Sequence, residues 1–434
     1  MLVATEEELR LLGLLTPEHW NPNATKRGLR EVNLVEAELT RSGVVATLSL
    51  DGRDSIDELR KRHRNIRAML DVLDTDLSDL APSGRSSKVL YSVRTRYVTD
   101  ELDMYWHPGI TTLGRDTVTG LEVNIPPHER LLVGGASGSG KSWSTRALMA
   151  RAVVHPDEEL GAFIDGKGEE ATVWRGVCRC AVTHEEIIEI IESEYARMEE
   201  RAALMAKNGL SKWSFTLGPR RLIVIDEGYS VLCAVIDEDK RRGKAPKNEG
   251  DEYDFTEGPD KPVMQKLTEL SSQGRSREII LMWMTQNPLR SGDDRGVTTG
   301  IRTNFDYGFC LRVNTRQNTE TVLNEGSGVE PHKLPRENKF RGHGYLNVHG
   351  ANLIRTWTVT DDMVGLLAYP DFGRGLYPRD VALRSLKAQP EAVWTPRLLA
   401  SWTGCGEVQA KCFLLSFVSE GLMTADGEAF RLAA

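Results

Sequence analysis

The residues from 135 to 142 form a pattern that binds phosphate groups in many proteins. They read Gly-Ala-Ser-Gly-Ser-Gly-Lys-Ser, they follow the apolar run Leu131–Val133, and a helix is predicted over Trp143–Val154. Glycines let the backbone wrap a phosphate with its N–H groups pointing inward, and the helix start adds the positive end of its dipole. We predict that Lys141 holds the β- and γ-phosphates of ATP and that Ser142 binds Mg²⁺. The residues predicted to contact the nucleotide are Gly135, Ser137, Gly138, Ser139, Gly140, Lys141, Ser142 and Trp143.

A pair of acids follows a second apolar run, Arg221–Ile225, which reads as a strand. A strand that ends in two carboxylates presents them at the carboxyl edge of the sheet, where ligands bind in α/β proteins. We predict that Asp226 holds Mg²⁺ through water and that Glu227 orients and polarises the attacking water. Alone, the pair would read as an acidic strand end without function, but its position downstream of the glycine-rich loop favours the catalytic role.

Two further residues are candidates for contact with the γ-phosphate. Gln286 ends an apolar strand and is predicted to sense that phosphate; the alternative is a polar cap on a turn. In the run Gln-Gly-Arg-Ser-Arg, Arg275 is predicted to reach the nucleotide of a neighbouring subunit, where an arginine stabilises the transferred phosphoryl group. Arg277 and Arg302 are rival candidates, and pairing with surface acids is the alternative for each arginine.

Short apolar strands alternate with longer helical stretches between these motifs. The predicted strands are Arg130–Gly134, Gly161–Asp165, Arg221–Asp226, Glu278–Thr285 and Tyr307–Val313. Such alternation predicts an α/β domain with a mostly parallel sheet covered by helices. We place this domain at residues 109–362. Within it, residues 237–261 hold nine acids and six bases and are predicted to form a mobile surface loop.

Smaller modules are predicted on either side of this domain. Residues 1–108 form an α+β module with an irregular lead-in over residues 1–30. Its predicted elements are the strands Val32–Thr40, Gly43–Leu50 and Lys88–Thr95 and the helix Ser55–Leu73. Residues 363–434 form a linker and a winged helix, for which a small helical cap is the alternative. Its predicted elements are the helices Thr395–Trp402 and Glu407–Glu420 and the strands Leu422–Thr424 and Ala429–Leu432.

Composition narrows the class of protein further. The 434 residues correspond to about two or three domains. No apolar run has membrane-spanning length, and Glu6–Glu8 are unlike a secretory signal. The six cysteines lack CxxC spacing, which is typical of reduced thiols, so a cytoplasmic location is expected. The net charge of −8 excludes a general basic coat, so any nucleic-acid contact must use a local basic face or a pore lined by several subunits.

Several motifs occur together in a characteristic order. They are Leu113–Asp116 with Thr119-Gly120, Gly134–Ser142, Ile164–Gly168, Tyr195–Arg201, Ile223–Glu227, Ser272–Arg275, Thr285–Pro288 and Gly300–Asn304. In this order they resemble the FtsK/SpoIIIE family of double-stranded DNA translocases. In its short length and its lack of a membrane segment, the chain is most similar to the actinomycete plasmid and integrative-element Tra (TraB-type) transfer proteins. The chain departs from the family pattern at Gly166, where proline is common, and at Gly228-Tyr229, where Phe-Ala is usual.

The resemblance implies a RecA-like, ATP-hydrolysing motor that assembles as a ring, expected to be a hexamer, around double-stranded DNA. It implies that Arg275 acts on the neighbouring subunit's ATP and that the winged helix recognises short DNA repeats. It also implies a role in plasmid or integrative-element transfer, with association at a membrane face or septum.

Two other functions stay open from the sequence. One is a motor on single-stranded DNA in conjugation or replication, which would need stacking aromatics along a groove. Trp174, Trp213 and Trp283 are scattered and are predicted to lie in the core. The other is a non-catalytic DNA-binding adaptor that uses ATP as an assembly signal; the intact Asp226-Glu227 pair argues against it.

Overall fold

The structure is a computed structural model. It describes residues 3–29, 31–50, 55–73, 76–85, 87–246, 253, 255–258, 260–289, 296–325, 327, 329–349, 352–368, 382–383, 386–387, 389–403 and 407–433. The chain divides into two compact units. The first is Met1–Leu102 with Arg115–Leu121 and Gly350–Leu353, and the second is Asp103–Gly114, Glu122–His349 and Ile354–Ala434. In the described residues, no helix is both long and apolar enough to span a bilayer.

The first unit is built on an antiparallel sheet in the order β1-β2-β4-β3. Its strands are β1 Val32–Thr40, β2 Gly43–Leu50, β3 Leu77–Pro82 and β4 Lys88–Arg94, and its helices are α1 Glu6–Leu14, α2 Pro17–Lys26, α3 Ile56–Lys61 and α4 His63–Leu70. The prediction of an irregular lead-in over residues 1–30 is therefore wrong. Thr5 and Glu8 form a reciprocal capping box that starts α1, and Trp20 of α2 is fully buried. The helix predicted over Ser55–Leu73 is broken at Arg62.

The large sheet of the described chain has the strand order β6-β5-β14-β13-β12-β7-β11-β10-β8-β9. The strands are β5 Gly114–Asp116, β6 Glu122–Val123, β7 Leu131–Gly134, β8 Glu158–Asp165, β9 Arg179–Ala181, β10 Arg220–Asp226, β11 Ile279–Thr285, β12 Tyr307–Leu311, β13 His343–Leu346 and β14 Ile354–Thr356. Strands β9, β8, β10, β11, β7 and β12 pair in parallel, and β13 and β14 join antiparallel. This mixed, mostly parallel α/β sheet confirms the predicted RecA-like fold class.

Helices cover this sheet. They are α5 Lys141–Val154, α6 Glu169–Trp174, α7 His184–Lys207, α8 Gly228–Arg241, α9 Val263–Gln273, α10 Thr299–Arg302, α11 Arg316–Leu323 and α12 Asp361–Leu367. The central strands are buried along most of their length, as β11 shows, because helices pack on both faces of a parallel sheet. Val133, Phe163, Val224, Met284 and Phe309, from five neighbouring strands, meet in one core. The sheet edge that carries the polar motifs is therefore held by a rigid, apolar interior.

The charged segment at 237–261 is only partly what the sequence predicts. Its first residues, up to Arg241, continue α8. Asp239 is fully buried and accepts hydrogen bonds from the backbone N–H groups of Val263 (2.7 Å) and Met264 (2.9 Å) at the start of α9. The prediction of a mobile loop is wrong here because one buried acid joins two helices. Residues 247–252, 254 and 259 lie outside the described residues.

The C-terminal elements follow the predicted outline. They are helices α13 Pro396–Thr403 and α14 Glu407–Ser419 and strands β15 Met423–Asp426 and β16 Ala429–Leu432. The two strands pair as an antiparallel hairpin whose turn contains Gly427 at φ 62°. Trp394, Leu399, Phe413, Phe417 and Phe430 form a small core of their own. That this module is a DNA-binding winged helix stays a prediction.

Candidate nucleotide site

The glycine-rich loop joins β7 to α5 and has the backbone that its glycines predict. Gly138 and Gly140 adopt φ values of 73° and 88°, the left-handed region that disfavours side chains. A Cβ atom on Gly140 would also stand 2.6 Å from the backbone nitrogen of Gly342. Helix α5 starts directly after this loop, so its unpaired N–H groups face the phosphate position.

Lys141 and Ser142 converge on one carboxylate. The ammonium of Lys141 contacts Oδ1 of Asp226, and the hydroxyl of Ser142 donates a 2.6 Å hydrogen bond to Oδ2. The Lys141 side chain is 5% exposed, so its charge is compensated here by the acid. A hydroxyl and a carboxylate are the hard oxygen ligands that Mg²⁺ prefers, and Mg²⁺ needs only one or two protein groups beside phosphate and water. Ser142 and Asp226 therefore fit the predicted metal role.

One carboxylate oxygen of Glu227 contacts three side-chain nitrogen atoms. Its Oε1 lies 2.7 Å from Nε2 of Gln286, 3.1 Å from Nζ of Lys167 and 3.4 Å from Nζ of Lys141. Glu227 adopts φ 59°, one of four non-glycine residues with positive φ in the described chain. A strained backbone on a buried acid at a sheet edge is typical of a functional position. Glu227 and Gln286, which the sequence predicts separately, are thus brought together.

Lys167 is a residue whose role the sequence did not predict. Asp165 accepts hydrogen bonds from the backbone N–H groups of Lys167, Glu170 and Ala171, and these bonds form the turn after β8. A Cβ atom on Gly166 would lie 2.4 Å from that of Ser230, so the glycine allows α8 to pack against this turn. The turn directs Lys167 to Glu227. Its only signal in the sequence was its place inside a family motif.

Trp143 lies one residue after the predicted Mg²⁺ ligand and is 45% exposed. The guanidinium of Arg146 lies 4.2 Å from the centre of its ring. Arg146 is itself fixed by both carboxylate oxygens of Glu170 (2.6 and 2.9 Å) and by Asp361 (2.7 Å). Trp143 therefore lies on a rigid support at the mouth of the site.

Arg275 is not beside the phosphate loop of its own chain. Its guanidinium contacts Glu129 (2.5 Å) and Asp306 (3.1 Å), and Glu129 precedes β7 whereas the loop follows that strand. A strand rises about 3.3 Å per residue, so the two ends of β7 with their flanking residues are about 16 Å apart. The Arg275 side chain is 41% exposed and cannot reach the phosphates of its own chain.

The rival arginines have structural partners. Arg277 pairs with Glu199 at 3.1 Å. Arg302 is buried and donates hydrogen bonds to the carbonyl of Thr321 and the side chain of Asn324. Exposure therefore favours Arg275 over Arg302 for a contact outside the chain.

The predicted residues line a cavity of about 820 Å³, a size suited to a nucleotide. Ser137, Gly138, Gly140, Lys141, Ser142, Trp143, Asp226, Glu227 and Gln286 all border it. Gly135 and Ser139 are buried within the loop, where a Cβ on Gly135 would stand 2.5 Å from the Ser139 hydroxyl. The opposite wall includes Asn338, Arg341 and Arg355, which the sequence did not predict.

The fold and this site define a RecA-like P-loop protein. The chain is 32% identical over 333 residues to Protein Tra of Streptomyces lividans, a match that covers 76% of this chain and 52% of that protein. This similarity confirms the kinship with Tra-type proteins of the FtsK/SpoIIIE family. The chain spans about half the length of this curated relative. No protein-family model matches the chain.

Solved structures also resemble the chain. The pCW3 conjugation coupling protein TcpA, in its monomer form with ATPγS, is 15% identical, with 80% of this chain and 96% of that chain covered at a TM-score of 0.46. The cytoplasmic domain of the type VII secretion ATPase EccC of Thermomonospora curvata is 19% identical, with 61% and 32% covered at a TM-score of 0.45.

Proposed function

We propose that this chain is an ATP-driven motor that moves double-stranded DNA through a ring of subunits, in plasmid or integrative-element transfer. One observation carries the proposal: Lys141, Ser142, Asp226, Glu227 and Gln286, which come from three separate motifs, meet at one edge of the sheet within hydrogen-bond or ion-pair distance. This set combines phosphate binding with a carboxylate suited to prepare water, which hydrolysis needs and nucleotide binding alone does not.

Each of these residues has a different role in hydrolysis. When ATP binds, Lys141 leaves Asp226 and its ammonium pairs with the β- and γ-phosphates, and Ser142 and Asp226 would hold Mg²⁺. Bound Mg²⁺ supplies positive charge to the phosphate oxygens. Glu227, relieved of Lys141, orients the attacking water and accepts its proton. Gln286 holds the carboxylate of Glu227 from the neighbouring strand and senses whether the γ-phosphate is present.

Assembly would complete the site. We propose that Arg275 exchanges its in-chain acids for the phosphates of a neighbouring subunit's ATP. A closed ring, for which we propose six copies, repeats this head-to-tail contact at every interface. A ring also reconciles the net charge of −8 with DNA binding, because only the channel must be positive. The described C-terminal module would recognise short DNA repeats.

Double-stranded DNA is favoured over the single strand for a further reason. Trp174 and Trp283 are fully buried and Trp213 is 8% exposed, so none of the three offers a stacking surface to bases. The similarity to Protein Tra supports a role in DNA transfer. We place the motor in the cytoplasm, with association at a membrane face or septum.

An ATPase assay with and without long double-stranded DNA tests the proposal. We expect strong stimulation by the duplex, little by single-stranded DNA of equal length, and no nucleotide binding by Lys141→Ala. Stimulation by single strands alone would indicate the other kind of DNA motor. Binding of ATP without turnover at saturating duplex would indicate the non-catalytic adaptor, and either result rejects our proposal.

A further inference from the structure

The nucleotide site has a second wall, opposite the hydrolytic groups. In the sheet, β7 lies between β11 and β12. Asp226, Glu227 and Gln286 follow β10 and β11, so the γ-phosphate must face that side. A nucleotide that is gripped at its β-phosphate by the loop then extends the α-phosphate and nucleoside away from these groups, toward the side of β12, β13 and β14.

The segment Asn338–Gly342 occupies that side and is fixed to the phosphate loop. The backbone N–H of Gly342 donates a 2.9 Å hydrogen bond to the carbonyl of Ser139 within the loop, and the N–H of Thr356 in β14 donates to the carbonyl of Gly342 at 3.0 Å. The side chain of Phe340 is only 4% exposed, so its burial anchors the segment in the protein interior. The side chain between these anchors, Arg341, is thus presented from a rigid backbone.

Arg341 differs from the other cations of this region. It is exposed, it borders the cavity, and within the described residues its guanidinium has no hydrogen-bond or ion-pair partner. Lys339, two residues away, pairs with Glu337 at 3.4 Å. Arg312 donates to the carbonyl of Ser137 at 3.0 Å. Asp361, an acid that borders the cavity, is already paired with Arg146.

We propose that Arg341 binds the α-phosphate of the nucleotide and that Asn338–Gly342 forms the nucleoside side of the site. The inference rests on the proposed nucleotide binding. A guanidinium without a counter-charge, held beside a phosphate loop, is suited to make charge-assisted hydrogen bonds to a phosphate. Because ADP and ATP share the α-phosphate, Arg341 contributes to the binding of both nucleotides alike, whereas Gln286 distinguishes them.

Calorimetric titration of the full chain with MgADP and with MgATPγS tests this assignment. We expect Arg341→Ala to weaken the binding of both nucleotides by the same factor, about tenfold or more, since charge-assisted hydrogen bonds have that strength. Arg341→Lys should recover part of the loss. Lys333→Ala is the matched control: this exposed cation pairs with Glu330 at 2.7 Å and does not line the cavity, so the variant should bind both nucleotides as the wild type does.

Three results would overturn the proposal. Unchanged binding by Arg341→Ala would show that the guanidinium makes no contact. A loss confined to MgATPγS would place it at the γ-phosphate instead. Failure of the wild type to bind either nucleotide would overturn the proposed function together with this inference, so the two failures are distinguishable. Melting temperatures without nucleotide check the fold, and Arg341→Gln replaces the alanine variant if the latter does not fold.

Discussion

The side-chain amide of Gln286 donates a 2.7 Å hydrogen bond to Oε1 of Glu227, so two neighbouring strands position one carboxylate. Strands β10 and β11 pair in parallel with Ile225 opposite Trp283, and both polar residues follow directly at the same edge. The indole N–H of Trp283 donates to the carbonyl of Gly296 at 2.7 Å, which fixes β11 at this point. If Gln286 senses the γ-phosphate as we propose, this one hydrogen bond would transmit its loss to Glu227.

We expect Glu227→Gln to retain nucleotide binding and to lower kcat by about 100-fold or more, because general-base catalysis contributes this much or more. The amide has the shape of the carboxylate but cannot accept the proton. Steady-state hydrolysis with duplex DNA, alongside calorimetric nucleotide binding, measures the effect. The control is Glu320→Gln, an acid that pairs with the exposed Arg316. Hydrolysis at the wild-type rate by Glu227→Gln would show that another group prepares the water.

Arg275→Ala should lower DNA-stimulated hydrolysis on the order of 1000-fold, the lower range for an arginine supplied in trans. Nucleotide binding by the isolated chain should be unchanged, because Arg275 does not reach its own site. Arg277→Ala, whose guanidinium pairs with Glu199, is the matched control.

Mixing two inactive variants distinguishes a contribution of Arg275 to the neighbouring subunit's site from an effect of its substitution on folding. Arg275→Ala and Lys141→Ala are each inactive alone, but together they form some interfaces that have both intact groups. We expect hydrolysis to reappear on mixing. If the mixture stays inactive while each variant still assembles, Arg275 does not act across an interface.

Asp239→Ala should destabilise the chain by about 2 kcal/mol, because it leaves two buried N–H groups at the start of α9 without an acceptor. The urea concentration at the midpoint of unfolding measures this change in stability. Asp237→Ala, at an exposed site on the same helix, should change it little. Equal midpoints for both variants would mean that Asp239 does not join α8 to α9.

Acid should destabilise the fold through His343. Burial, together with the nearby charge of Arg355, lowers the pKa of His343 to about 4. Its ordinary pKa is about 6.5, so between these values the unfolded chain binds a proton that the folded chain does not, and the free energy of unfolding decreases as the pH falls. The contribution of His343 between pH 7 and pH 5 is about 2 kcal/mol.

Urea unfolding of wild type and His343→Gln at pH 7, 6 and 5 checks this. Burial also lowers the pKa of His332, which remains in both proteins, so the difference between their pH slopes is the quantity to compare. Parallel slopes would show that His343 accepts a proton in the folded state.

Local signals in the sequence predict the hydrolytic half of the site. The glycine-rich loop and the apolar strands that end in polar residues each carry their information within about ten residues, so Lys141, Asp226, Glu227 and Gln286 are found without a structure. Parallel strands then bring their ends together by the geometry of the fold. The roles of these residues stay predictions until they are measured.

The half of the site that we propose for the nucleoside has no such signal in the sequence. Strands β13 and β14 are short and antiparallel, and they reach the phosphate loop from about 200 residues downstream. No sequence pattern distinguishes Arg341 from other arginines, because what sets it apart is that its guanidinium has no partner among the residues that the structure describes. Helices α1 and α2 were missed for another reason: their few apolar residues do not form a clear stripe, although the capping box at Thr5 was readable.

Helix α14 gives adjacent residues to two different interiors. Cys412 is fully buried in the core of the large sheet, while Phe413 and Leu414 lie in the small C-terminal core. A displacement of the β15–β16 hairpin would therefore also displace residues in the core of the large sheet. Any ligand of this C-terminal module would therefore bind to a helix that continues into the apolar core beneath the nucleotide site.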